Sequence, residues 1–135
     1  MNDNLSKWHD VVSTRSMSKL PALLADDVVF HSPVVHAPQK GKKLTFLYLS
    51  AAFKVFSNES FQYVREVANE KETLLEFEVE IDGILINGID MISWNDDGKI
   101  TDFKVMIRPL KGVNIIHQKM GELFAKYQRG RANYL

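Results

Sequence analysis

The chain has 135 residues, 45% of them hydrophobic and 25% charged, which leaves room for one substantial core and gives no support to a disordered or fibrous protein. Its 17 basic residues balance 17 acidic ones, so no net field draws it to nucleic acid or to anionic lipid. Cysteine is absent, which excludes disulfides, thiolate nucleophiles and sulfur-ligated metals.

The opening Met1-Asn2-Asp3-Asn4-Leu5 has neither the basic nor the apolar segment of an export signal, and no later run approaches the ~18 apolar residues of a membrane span. A cytoplasmic protein without a membrane or nucleic-acid partner is expected. Asn2, Asp3 and Asn4 are capping candidates for a first amphipathic helix, in which Leu5, Trp8, Val11 and Val12 recur at helical spacing to about residue 14. Ser16 or Ser18 can cap a short second helix through Leu20, Leu23 and Leu24, ending at Ala25-Asp26-Asp27. The β-branched Val28-Val29-Phe30 then begins a strand that should stop near Pro33. Beyond Pro38 and Gly41, the spacing of Leu44, Leu47, Tyr48, Ala51 and Val55 predicts a third helix, ended by Ser57-Asn58.

From Phe61 the hydrophobic period changes from helical to alternating, and four strands are predicted over 61–68, 73–82, 84–94 and 99–108. Their short connections imply antiparallel neighbours, hence a meander. After Pro109 and Gly112, the positions Val113, Ile116, Met120, Leu123, Phe124 and Tyr127 predict a last amphipathic helix, with Arg129-Gly130-Arg131 as a fraying tail. The whole of 1–135 reads as a single α+β domain.

Asp82-Gly83 between two apolar runs is the signature of a two-residue type I′ hairpin, and it fixes a register. Ile81 then opposes Ile84, Val79 opposes Ile86, Phe77 opposes Gly88 and Leu75 opposes Asp90, because opposed residues share one side of a sheet. Ile92 and Trp94 continue that side, while Glu76, Glu78 and Glu80 point to the other. A four-residue turn at Asn95-Asp96-Asp97-Gly98 would add Thr101, Phe103, Val105 and Ile107, leaving Asp90 as the one charged residue on an apolar face. Desolvation opposes ionisation of such a carboxyl, so its proton is available for chemistry. The alternative use is structural, with Asp90 accepting hydrogen bonds from a helix terminus or Trp8 and anchoring the core.

The order helix, helix, strand, helix, four-strand meander, with Leu23-Leu24-Ala25-Asp26-Asp27-Val28 before the first strand, resembles the NTF2-like superfamily and its SnoaL-like members. The stretch from Gly88-Ile89-Asp90-Met91-Ile92-Ser93-Trp94 through Asp97-Gly98-Lys99-Ile100 into Phe103-Lys104-Val105-Met106 is similar to the end of the ketosteroid isomerase sheet. The resemblance implies an NTF2-like (cystatin-like) cone: N-terminal helices packed on a curved antiparallel sheet around a pocket, here with an extra C-terminal helix. In the isomerases the aspartate matching Asp90 is a protonated hydrogen-bond donor to the developing oxyanion. Trp8 stands where they carry the oxyanion-hole tyrosine, and Ser32 where they carry the aspartate that shuttles the proton. An unassisted serine is no general base at neutral pH, so their mechanism does not transfer intact. What carries over is a pocket lined by Trp8, Val12, Phe30, Ser32, Tyr48, Tyr63, Phe77, Ile92, Phe103 and Val105, with Asp90 as its acid.

His36, past Pro33 where the chain turns, is the candidate to replace the missing base, whereas strand parity turns His31 outward. His9 and His117 read as surface residues. No histidine spacing suggests a metal, and no glycine-rich loop opens a helix, so neither metal nor nucleotide cofactor is implied. The outer sheet face mixes Glu76, Glu78 and Glu80, expected to pair with Lys104 and Arg108, with Leu85, Ile89, Met91 and Met106. NTF2-like proteins often dimerise through this sheet, and a homodimer is expected. Three functions are carried forward: a cofactor-independent isomerase, cyclase or dehydratase for a small apolar ring compound; a non-catalytic small-molecule binder; and an interaction module whose cone is filled by its own side chains.

Overall fold

The computed structural model describes residues 3–134, with side-chain surroundings for residues 3–126. The first helix, α1, runs Asp3–Thr14 and buries Trp8 and Val11. The expected second helix is two 3-10 turns, Met17–Lys19 and Pro21–Leu23. Pro21 lacks the amide proton that a continuous helix would need and so breaks the segment. Strand β1 consequently begins earlier than Val28-Val29-Phe30, at Leu24, and runs to His31. A two-residue strand that periodicity did not reveal, β2 (Gln39–Lys40), pairs antiparallel with β1. Helix α2 spans Lys42–Phe56, entered through Gly41 at a φ of 101° and closed by Ser57 N–H donating to the Phe53 carbonyl.

Strands β3 (Gln62–Ala68), β4 (Glu72–Ile81), β5 (Ile84–Trp94) and β6 (Ile100–Arg108) form the antiparallel meander. The six strands lie in the order β2-β1-β6-β5-β4-β3. The sheet is mixed because β1 joins β6 in parallel. Helix α3 runs Leu110–Tyr134, so Arg129-Gly130-Arg131 continue the helix instead of fraying. It packs on α2, β5 and β6. The side chain of Tyr127 falls outside the described ones.

The Asp82-Gly83 hairpin sets the β4–β5 register. Asp82 and Gly83 take φ values of 52° and 78°, and the pairs are Ile81 with Ile84, Val79 with Ile86, Phe77 with Gly88 and Leu75 with Asp90. The inward members from Leu75 to Ile92 are buried except Ile84 beside the turn, which is half-buried, whereas Leu85 and Ile89 on the opposite face are exposed. The β5–β6 turn corrects one inward residue. Asn95 Oδ1 accepts from the amides of Asp97 and Lys99, the turn holds five residues, and a bulge after Ser93 sets Trp94 opposite Ile100. Ile100 is thus fully buried in place of Thr101, whose hydroxyl donates to the Ser93 carbonyl. On the outer face β5 separates β4 from β6. The glutamates therefore do not pair with Lys104 or Arg108; Glu76 pairs with Arg65 of β3 at 3.1 Å, and Arg108 donates to Asn87.

α1 and α2 cover the inner face of the sheet. The core between them holds Trp8, Phe30, Phe77, Phe103, Leu75, Ile86 and Ile92, all at 2% exposure or less. Each side chain of this size contributes about 1.5–3 kcal/mol on burial, and this packing fixes the positions of the polar groups threaded through it.

Candidate functional site

Asp90 sits in mid-β5 on the inner face, 8% exposed, between Leu75 of β4 and Val105 of β6. The neighbouring inward position on β5 is Gly88. A Cβ there would collide with the Phe77 ring and come within 2.8 Å of Ile107, so glycine is what lets Phe77 lie flat over the strand. Phe77 in turn stacks on Phe61 at 5.3 Å between centroids and meets Phe56 edge-on at 5.4 Å. Trp8 closes the other side against Phe53 and Phe103. These rings and Val105 surround a cavity of about 260 Å³ onto which Asp90 opens. That is well above the ~150 Å³ of an apolar cavity that holds benzene, so there is room for more than one small ring.

Two donors organise the carboxyl. Tyr63 Oη donates to Asp90 Oδ2 at 2.8 Å, and Trp8 Nε1 donates to Tyr63 Oη at 3.1 Å. The chain Trp8 to Tyr63 to Asp90 commits the phenol proton toward the carboxyl. No other hydrogen bond reaches Asp90 among the described residues, which leaves Oδ1 to the cavity. Burial pushes the Asp90 carboxyl from its ordinary 3.8 up to about 7, against the opposing pull of the Tyr63 hydrogen bond. The Tyr63 hydroxyl is held well above 10, first by burial and then by the negative charge of Asp90. Near neutral pH the site therefore holds a carboxyl divided between acid and base forms beside a phenol that keeps its proton.

Of the residues singled out in the sequence, Trp8, Val12, Tyr63, Phe77, Asp90, Phe103 and Val105 border the cavity together. Phe30, Ile92, Tyr48 and Ser32 do not. Phe30 and Ile92 are sealed in the core, Phe30 between Tyr48 and Phe103. Tyr48 packs on Phe124 of α3, and the Ser32 hydroxyl accepts from the Val34 amide. His36 is exposed on the segment after β1 and outside the lining, because the chain turns away from the cone at Ser32-Pro33. His31 is turned outward onto Asp102 at 2.8 Å. His9 pairs with Glu66 at 2.6 Å with its ring against Tyr63. No cluster of metal-ligating side chains occurs among the described residues.

The sequence reading missed Leu49, Ala52, Phe53 and Phe56 of α2, with Phe61, Ser13, Ser57 and Arg15. α2 is apolar on nearly every side, so its spacing does not single out the face turned to the cavity. The signal that was available is the Phe53, Phe56, Phe61 run of rings crossing from helix to strand. Tyr63 was legible as a lining residue but not as the partner of Asp90, since β3 meets β4 through a register shift between Tyr63 and Arg65.

A family model for the SnoaL-like domain matches residues 5–103. The chain is similar to a steroid delta-isomerase from Pseudomonas aeruginosa, with 36% identity and a TM-score of 0.88 over 94% of this chain and 93% of that one. It is similar to an uncharacterized protein with a cystatin-like fold from Silicibacter pomeroyi DSS-3, at 30% identity and a TM-score of 0.82, covering 96% and 94% of the two chains. An NTF2-like protein of unknown function from Mesorhizobium loti, 17% identical with a TM-score of 0.68 over 79% of this chain and 89% of that one, shares the fold. No curated protein matches the sequence.

Proposed function

The chain belongs to the SnoaL-like domain family, and from that footing we propose that it is a cofactor-independent isomerase or lyase for a small, largely apolar ring compound bearing a carbonyl or hydroxyl, with Asp90 carrying the proton. The observation that supports this reading most is the hydrogen-bonded chain from Trp8 through Tyr63 to a buried carboxyl that opens on an aromatic cavity. A group with a pKa near the working pH is well matched to both taking and giving a proton. In its ionised form Asp90 removes a proton from the carbon between a ring carbonyl and a β,γ double bond, and the acid so formed returns it to the γ carbon of the resulting dienolate. The carboxyl ends as it began and the double bond has moved. While negative charge rests on the substrate, no water needs to enter, because the rings exclude it and strengthen each remaining hydrogen bond. The similarity to a steroid delta-isomerase supports a cyclic enone-type substrate class in preference to an acyclic one.

A second reading, a non-catalytic binder, is favoured by one observation. Ser32 lies outside the cavity and His36 is exposed, so Asp90 is the one carboxyl or imidazole bordering it among the described residues. The test is deuterium exchange of cyclic ketones such as tetralone in heavy water, with Asp90→Asn as control, alongside carboxyl-carbon NMR of Asp90. Exchange accelerated by the natural chain and lost in Asp90→Asn is the expected result. Binding that shifts the Asp90 signal without exchange would replace the enzyme by the binder. An Asp90 carboxyl titrating at its ordinary 3.8 and indifferent to added ketone would sink both.

A further inference from the structure

Asp90 marks the closed end of the cavity; the exposed lining residues Ser13, Arg15 and Ser57 mark its mouth. We propose that the molecule taken here carries an anionic substituent, a carboxylate, which Arg15 holds at the mouth while the ring lies among the phenylalanines with its carbonyl- or hydroxyl-bearing end toward Asp90. This rests on the pocket reading above and narrows its substrate class.

Among the described residues, Arg15 is the only cationic side chain bordering the cavity, and it has no side-chain hydrogen-bond or ion-pair partner there. Asp10 of α1 is paired with Lys19 at 2.8 Å, and Glu66 of β3 with His9 at 2.6 Å. In a chain of balanced charge, a guanidinium left open beside a cavity is a complement waiting for an anion. The backbone points the same way. Arg15 ends α1 at a φ of 53°, the left-handed region that glycine ordinarily fills after a helix. An arginine there accepts strain that a glycine would avoid, and what it adds is a long cationic side chain at the rim. The two ends also fix the direction of entry. A carboxylate at the closed end would face the partly ionised Asp90, whereas at the mouth it meets Arg15 with the Ser57 hydroxyl as a further donor. The ring oxygen therefore enters first and the carboxylate trails.

The experiment is calorimetric titration of the full chain with two probes of one ring system, neutral naphthol and anionic hydroxynaphthoate, repeated on Arg15→Gln and Arg15→Lys. A partly exposed charge pair leads to an advantage of about fivefold for hydroxynaphthoate over naphthol in the natural chain. Arg15→Gln should erase that advantage, Arg15→Lys should keep part of it, and added salt should shrink it. Naphthol affinity should change by less than hydroxynaphthoate affinity in both variants, since naphthol carries no charge for Arg15 to hold. Equal affinity for the two probes in the natural chain overturns the inference and leaves the pocket standing. A parallel loss of both probes in Arg15→Gln also overturns it, making Arg15 a support of the rim. Binding of neither probe overturns this inference and the pocket reading together.

Discussion

Asp90→Asn should remove a dependence of stability on pH that the natural chain carries because of one buried group. The folded carboxyl titrates at about 7 and its ordinary value is 3.8. Below 3.8 the folded and unfolded chains both hold the proton, and the group makes no difference. As pH rises from there, the unfolded chain releases the proton while the folded chain retains it. Each pH unit then costs the fold about 1.4 kcal/mol, so that roughly 4 kcal/mol is lost before the folded carboxyl also ionises and the curve levels. A domain of this kind is stable by only about 5–15 kcal/mol, so the effect is large. Asparagine keeps a carbonyl for the Tyr63 hydroxyl and nearly the same volume but has no charge to bury. Every other ionisable side chain is common to the two proteins and cancels in the difference. Urea unfolding at several pH values should show the variant gaining on the natural chain steadily between acid and neutral pH, then by a constant amount. A difference that stays flat across that range would mean that Asp90 is solvated or fully paired, and the acid-in-a-dry-cavity argument would fail with it.

Gly88→Ala drives a methyl into the Phe77 ring and against Ile107, and Phe77 cannot retreat from Phe61. Overpacking of this kind costs about 1–3 kcal/mol, and the displaced ring enters the cavity; thermal melts should show the loss and calorimetry weaker naphthol binding, whereas unchanged values in both would refute the close approach. On the outer face Leu85, Ile89 and Met106 are 61%, 38% and 54% exposed amid paired charges. We propose that this face joins two copies of the chain, so Ile89→Lys should turn a dimer into a monomer in sedimentation velocity, and an unaltered mass would count against it.

What could be read from the sequence was whatever is decided locally. A two-residue turn at Asp82-Gly83 fixes the parity of ten residues on either side of it, which is how parity separates Asp90 from Glu76, Glu78 and Glu80 without any knowledge of the helices. The next turn was misjudged by one residue because Asn95 holds two amides rather than one, a side-chain choice that composition does not announce. The parallel pairing of β1 with β6 joins residues more than seventy positions apart, and alternation in a single strand contains no information about so distant a neighbour.

The cavity divides along the same line. Its sheet wall, Phe77, Phe103 and Val105 with Asp90, follows from strand parity; its helical wall does not, because α2 is apolar almost all round and only packing against the sheet selects Leu49, Phe53 and Phe56. The pairing of Tyr63 with Asp90 needed both walls at once. β4 must be flanked by β3 on one side and β5 on the other before a phenol and a carboxyl 27 residues apart can meet across it. That dependence explains why the acid was found from the sequence and its donor was not. It also separates two properties of the site: the burial that raises Asp90 comes from the whole core, whereas the opposing hydrogen bond comes from one hydroxyl. A chain of this family can thus retune the proton affinity of its acid by changing a single residue on β3 while leaving the cavity that shelters it intact.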